Sequence, residues 1–531
     1  MKRYITIKRK SFHPFVFFAL IATILFVSCS KNDVTSDTDE NTNNTGSPGN
    51  TSSGSIAIAD IATISTAKEG NSDSAANPDD IIANSTFTTQ VQIAFNGTTA
   101  TITNPLAAST INIVQSNGDV IVTSTAKEVE YVLSGTTTNG SVKIYSDNKF
   151  KLTLNGVSIT NNDGPAINIQ SKKRVFVVLA DNTVNTLADG ANYATSTEDM
   201  KSTVFSEGQL VFTGNGTLNV KGNYKHAIAS DDYIRVQSGT INITDAVSDG
   251  IHTNDAFIAD GGVFNIKASS DGIESEEGYI VINKGNFTIN VIDDAIAASW
   301  ETDATIDPFV TINGGSFNIT TTEGEGIESK SKLTINNGTF KIITFDDGLN
   351  AAGAIYINGG VLYVYSNNND AIDSNGILTI TGGKIVAVGA GSPEGGIDCD
   401  NNQFKITGGI IVGMGGSTSM PTANVSTQRS VRLGGANANQ IVHIVATDGS
   451  AEALTVLAPR TFATMLFSSP KLKASTSYQV YIGGAVSNGI DENGLYTGGL
   501  YTKGNAVSGT SFTTTSMVTI AGGSGGPGGG R

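Results

Sequence analysis

Acidic residues recur at near-constant spacing through the middle of this sequence. Asp249, Asp271, Asp294, Glu325, Asp347 and Asp370 each stand two residues before an aliphatic one: Ile251, Ile273, Ile296, Ile327, Leu349 and Ile372. One residue after that aliphatic position come His252, Glu274, Ala297, Glu328, Asn350 and Asp373, with Asp398 after Ile397. If successive copies stack, neighbouring carboxylates about 5 Å apart repel by roughly 3 kcal/mol at an effective dielectric of 20. Such a column must stay in open water, hold protons or take up cations. Calcium fits this chemistry, being a hard ion that accepts six to eight oxygens, carbonyls and Asn included. The candidate ligands are Asp249, Asp271, Glu274, Asp294, Glu325, Glu328, Asp347, Asp370 and Asp373. The plainer alternative, open at every coil, is that Asp-Gly makes a good corner with the carboxylate on nearby backbone amides.

Other chemistries find less support. Elimination from a uronate needs a cation on the sugar carboxylate and a Lys or Arg base. No Arg lies between Arg235 and Arg429, and Lys330, beside Glu328, is the best candidate base. A solvated surface lysine is its simpler reading. Glycoside hydrolysis needs one placed carboxylate pair, and a ladder offers too many for spacing to single one out. His226 and His252, about one repeat apart, read as surface or packed residues rather than catalytic ones. No Ser-His-Asp arrangement, phosphate-binding loop, dinucleotide fingerprint or Cys/His metal cluster is present. Flat aromatic faces that could stack on sugars are Trp300, Tyr224 and Tyr279, with Phe309, Tyr356, Tyr363 and Tyr365 as further possibilities. Tyr363 and Tyr365 alternate on one strand face and fit a structural stack better.

The elements that would carry these residues form a repeat. From Ile228 to Ile397 the aliphatic position advances by 23, 22, 23, 31, 22, 23 and 25 residues. A Gly phrase keeps step with it, its last Gly falling at 239, 262, 285, 315, 338, 360, 383 and 409. Between these markers lie short alternating runs such as Val310-Thr311-Ile312 and Phe317-Asn318-Ile319. This pattern predicts an all-β chain: a right-handed parallel β-helix of 22–23-residue coils, with the aliphatic residue inward and Gly at the corners. Propeller blades need about 40–45 residues each. The step of 31 holds an insertion at 299–309 that carries Trp300, the only Trp in the chain. Insertions in solenoids gather on one face, often the binding face. After residue 420 the repeat stops, and runs at 442–445, 453–457, 463–467 and 478–482 predict antiparallel strands in a small C-terminal β-rich cap.

Composition and the chain ends add limits. Charged residues make up 15% of the 531 residues and the net charge is −16, which disfavours nucleic acid as a partner. No Gly-X-Y period exists, so collagen is excluded, and the Ala/Glu/Lys/Leu/Arg bias of a coiled coil is missing. Lys2, Arg3, Lys8, Arg9 and Lys10 precede an apolar run at 15–27, too short to span a bilayer as a helix. That run ends in Ser28-Cys29, like a lipobox, so Cys29 is the expected lipidation site. Removing residues 1–28 takes away five positive and no negative charges, leaving −21. The expected organisation is a signal peptide (1–28), a tether (29–54), a β-helix with an N-terminal β cap (55–420), a β-rich domain (421–520) and a Gly-rich tail (521–531). Acidic residues early in the tether resemble signals that send lipoproteins to the outer face of the outer membrane. With Cys29 acylated, Cys399 has no disulfide partner and reads as a small packed residue.

Several phrases carry a family resemblance: LNGV at 154–157, NDGPAI at 162–167, LADNTVNTL at 179–187, GNY at 222–224, DGIH at 249–252, DGLNAAG at 347–353 and LFSSP at 466–470. Over roughly residues 90–520 the chain resembles bacterial carbohydrate-binding-domain-containing proteins with a pectate-lyase-like β-helix. The resemblance implies binding of cellulose-like and acidic polysaccharides, calcium in the helix, and no established lyase activity. GNYKHAI at 222–228 departs from the family's usual Asp-Gly and leaves a metal site on that coil in question. The expected protein is a surface lipoprotein, lipid-anchored in the outer membrane, that binds polysaccharide without cleaving it. A polyuronate lyase or a structural adhesin are the alternatives. The sequence is silent on oligomeric state.

Overall fold

A computed structural model describes residues 55–60, 64–107, 109–300, 302–400, 403–506 and 510–522. Cys29, the leader, the tether and the tail from 523 onward lie outside the described residues. The described residues form one compact unit.

The repeat winds into a parallel β-helix. One wall is a sheet of thirteen strands whose members include His226–Ser230, Ile251–Thr253, Ile273–Ser275, Ile296–Ala298, Ile327–Ser329, Leu349–Ala351 and Ile372–Ser374. Ile228, Ile251, Ile273, Ile296, Ile327, Leu349 and Ile372 are register partners from coil to coil, and all are buried. The aliphatic column therefore fills the core as its spacing predicts. Two further strands complete each coil; in one coil these are Tyr279–Ile282 and Asn286–Val291.

A second core column was not anticipated. Phe264, Phe287, Phe317 and Phe340 stack face to face, with centroids 4.5, 4.9 and 4.6 Å apart and planes within 4°. Each follows a corner Gly by two residues. At Gly285, with φ +135°, an added Cβ would stand 2.8 Å from the Phe287 ring. Here Gly serves both the left-handed backbone and the aromatic stack.

Capping pieces close both ends. At the start, hairpins pair Thr89–Asn96 with Thr99–Thr103 and Ile111–Ser116 with Asp119–Ser124. At the far end, Phe462–Ser468 runs antiparallel to both Ile410–Gly415 and Ser430–Ala436, which stops the parallel stacking. The early chain then does something its composition hides. Ile56–Ile58 pairs with Leu495–Thr502 in the C-terminal sheet, and the following segment runs back along the outside of the helix. Thr66 bonds to Thr381 there, and the backbone carbonyls of Glu69, Asn71, Asp73 and Ser74 accept from Asn358, Asn336, Asn313 and Asn283. The strap ends at buried Asp80, which meets Arg174 at 2.7 Å and Arg235 at 3.3 Å.

Candidate cation and carbohydrate-binding face

The first acidic column lies at the corner that feeds the thirteen-stranded sheet, one residue per coil. The N–H groups of Asp271, Asp294 and Glu325 donate to Oδ1 of Asp249, Asp271 and Asp294 at 3.3, 2.9 and 2.7 Å. Asp370 N–H donates likewise to Asp347 Oδ1 at 2.9 Å, and Gly395 N–H to Asp370 Oδ1. Each of these carboxylates thus gives one oxygen to the amide of the next coil. This is the corner reading in altered form, since the bonds run between coils rather than within one. The second oxygen of Asp249 meets His226 and His252, that of Asp347 accepts from Asn350 at 3.3 Å, and those of the other three are placed to take a cation or a proton.

Carboxylate oxygens of the column converge with neighbours in three places. Asp249, Asp271 and Glu274 can bring ligand atoms within 4.8 Å of one another, as can Asp271, Asp293 and Asp294, and Asp370, Asp373 and Asp398. Asp293 was missed as a ligand because it lies outside both repeated columns. Asp347, Glu325 and Glu328 fall in none of these triplets. Asp347 faces its neighbours Asp370 and Asp373, while Glu328 forms an ion pair with Lys330.

Burial and mutual repulsion raise the carboxyl pKa values along the column. Desolvation first, then neighbouring carboxylates, push Asp271 and Asp370 up to about 8, Asp347 to about 9 and Asp294 to about 11. Asp373 rises to about 6 for the same reasons, and Glu274 and Glu328 are raised mainly by burial. Near neutral pH, much of this column must keep its protons or exchange them for cations. The residues fit calcium, which takes oxygens from carboxylates and carbonyls in flexible number.

The two histidines are neither surface residues nor isolated. His226 and His252 stack at 4.1 Å with their planes 18° apart, and both are buried against Asp249. Burial penalises the charge of Asp249, but hydrogen bonds from both rings hold its pKa well below the usual range.

Lys330 is exposed and paired with Glu328. Burial lowers its pKa somewhat, but the Glu328 carboxylate outweighs this and raises it. It holds its proton more tightly than a free lysine, the opposite of what a base needs.

The predicted sugar-facing aromatics occupy corners. Trp300 is 42% exposed on the insertion and Tyr224 is 43% exposed. Tyr224 stacks on Tyr193 at 4.0 Å, and half-buried Tyr279 stacks on Phe309 at 4.9 Å. The strap crosses Tyr356, whose ring lies against Gly70. Tyr363 and Tyr365 pack toward the C-terminal core.

Comparison with known proteins agrees with the sequence phrases. The family described as carbohydrate-binding domain-containing protein matches residues 116–369. That stretch holds the column from Asp249 to Asp347 and stops just short of Asp370. A carbohydrate-binding domain-containing protein of Acetivibrio thermocellus is 30% identical over 118 residues, 21% of this chain and 41% of the relative. A solved structure of a polysaccharide lyase-like protein from C. thermocellum, a gadolinium derivative, is 21% identical with a TM-score of 0.36. It covers 56% of this chain and 100% of its own.

Proposed function

We propose that this protein is a lipid-anchored surface protein of the outer membrane that binds polysaccharide without cleaving it, with calcium supporting the binding face. The observation that carries the reading is the divided use of the column carboxylates. Asp249, Asp271, Asp294 and Asp370 each accept an amide of the next coil with one oxygen and also fall in oxygen triplets with their neighbours. The family match over residues 116–369 supports a carbohydrate as the ligand. Asp249, Asp271, Glu274, Asp293, Asp294, Asp370, Asp373 and Asp398 would hold the ions, which when bound neutralise the column and can bridge to sugar carboxylates. Trp300, Tyr224 and Tyr279 offer apolar faces to pyranose rings, with Tyr193 and Phe309 backing the two tyrosines. The amide bonds between coils hold the carboxylates in place before any ligand arrives.

The paired state of Lys330 argues against a lyase. The test is a pull-down of the purified protein on a panel of neutral and acidic polysaccharides, with product analysis of the same mixtures. Binding with unchanged polymer length is the expected result. No binding to any polymer would sink the reading. Unsaturated uronate products would replace it with an eliminase.

A further inference from the structure

Of the four groups of side chains placed to share an ion, one differs in kind. His226, Asp249 and His252 bring ligand atoms within 4.8 Å of one another, and all three are at most 3% exposed. His226 occupies the first acidic column itself, two residues before Ile228, where the following coils carry a carboxylate. Its Nδ1 takes over the column's structural task, lying 3.4 Å from the Asp249 N–H. The same Nδ1 lies 2.9 Å from Asp249 Oδ2. One neutral nitrogen cannot both accept from an amide and donate to a carboxylate. A cation held between Nδ1 and Oδ2 would take the nitrogen's lone pair and make the 2.9 Å contact a shared ligation, at the loss of the long 3.4 Å amide contact.

The partner ring is prepared for the same role. His252 Nδ1 lies 3.0 Å from Asp249 Oδ2 and 3.1 Å from Glu274 Oε2. Its other nitrogen, Nε2, lies 3.0 Å from Glu276 Oε2. Glu276 can accept Nε2–H, the usual outer-shell arrangement of a metal-bound histidine, and the ion would displace the proton that Nδ1 shares with Asp249 and Glu274 in the metal-free chain. His226 Nε2 is buried with no hydrogen-bond partner, so that ring is held by its stack on His252 and by what Nδ1 meets.

We propose that His226, Asp249 and His252 form a zinc site at the end of the oxygen-only calcium ladder, sharing Asp249 with its first triplet, with Glu274 in reach as a fourth ligand. Two imidazoles and a carboxylate suit a borderline ion such as Zn2+, whereas calcium prefers oxygen throughout. Zinc bonds of about 2.0–2.2 Å set ligands roughly 3.3 Å apart, so the present separations must open by a few tenths of an ångström. The stacked rings must also tilt apart for both lone pairs to converge. The ion would close the ladder at the coil where the acidic phrase gives way to histidine.

The test uses the full chain, purified without a polyhistidine tag and stripped of metal, titrated both without calcium and in calcium, since the first oxygen triplet shares Asp249 with the zinc site. Titrated Co2+ should give the visible bands of a nitrogen-containing low-symmetry site at one equivalent, and Zn2+ should abolish them. Zn2+ should also raise the thermal midpoint above that in calcium alone. His226→Asp restores the residue type of the other coils and should lower zinc affinity by at least about 100-fold. His252→Gln should do the same. Absence of a stoichiometric Co2+ spectrum in the wild-type chain overturns the proposal, whatever the variants do. So does wild-type zinc affinity in a folded His226→Asp protein.

Discussion

Asp271 holds two coils together and, in the proposed reading, would also bind a cation. Its Oδ1 accepts the Asp294 amide at 2.9 Å, while burial and its neighbours Asp249, Glu274 and Asp293 push its pKa to about 8. This has a measurable consequence. Asp271, Asp347 and Asp370 start from 3.8 in the unfolded chain and rise to 8–9 when folded, so the folded state binds more protons between those limits. Without metal, stability must fall as pH rises through that window. His252, held near 10 by Asp249, Glu274 and Glu276 against the effect of burial, has the same sign above 6.5. Burial pushes His226 down to about 4, and its opposite effect is complete by pH 6.5. From pH 6.5 to 9 the thermal midpoint in chelator should therefore drop steadily. Calcium, which binds the deprotonated form, should raise the midpoint most at the upper end. Asp271→Asn with Glu274→Gln should flatten both trends, and a flat chelator profile in the wild type would show that the column is open to water. Trp300 offers a separate check: Trp300→Ala should weaken neutral-glycan binding several-fold in an affinity assay and leave the midpoint unchanged. An unchanged affinity would make the insertion a bystander.

At the scale of elements, the coil register was legible because one side chain per turn must point inward and its spacing survives in the sequence. Ile273 sits between Ile251 and Ile296, fully buried. Ile273→Ala should cost about 2–5 kcal/mol in denaturant unfolding, and Ile273→Asp should prevent folding, since an unpaired charge would sit between apolar neighbours. A soluble Ile273→Asp protein with wild-type unfolding would contradict the register. The Phe264-to-Phe340 stack keeps the same period and could have been found by reading two residues past each corner Gly. The strap could not. Glu69, Asn71, Asp73 and Ser74 use backbone carbonyls, which leave no side-chain pattern, and their Asn partners lie more than 200 residues away. The zinc candidate escaped for a related reason. His226 stands in the column position but breaks its acidic type, so it reads as a departure until its nitrogen is seen beside Asp249.

At the scale of the whole chain, two forces bear on where the protein sits and what it holds. If acyl chains on Cys29 anchor it, Cys29→Ala should move it from the membrane to the soluble fraction, because lipoprotein processing adds more than one chain and a single chain anchors only marginally. Unchanged membrane association of the variant would remove the anchor. The second force is charge. A chain carrying −21 after loss of residues 1–28 repels a polyuronate over the Debye length, so bare electrostatics opposes an acidic ligand. Under the proposed function, calcium on the oxygen triplets would reverse the sign locally and join protein and sugar carboxylates. Neutral polymers would need no such bridge and would depend on Trp300, Tyr224 and Tyr279. Acidic-glycan binding should therefore fall to background in chelator and return with calcium, while neutral-glycan binding largely persists in both. Raising the salt in chelator should relieve the repulsion without restoring the bridge, so the acidic polymer should stay unbound. Retention of a polyuronate after complete metal removal, measured on the same immobilised protein that holds a neutral glycan, would refute bridging and turn attention to the lysines of the repeat, which carries no Arg between Arg235 and Arg429.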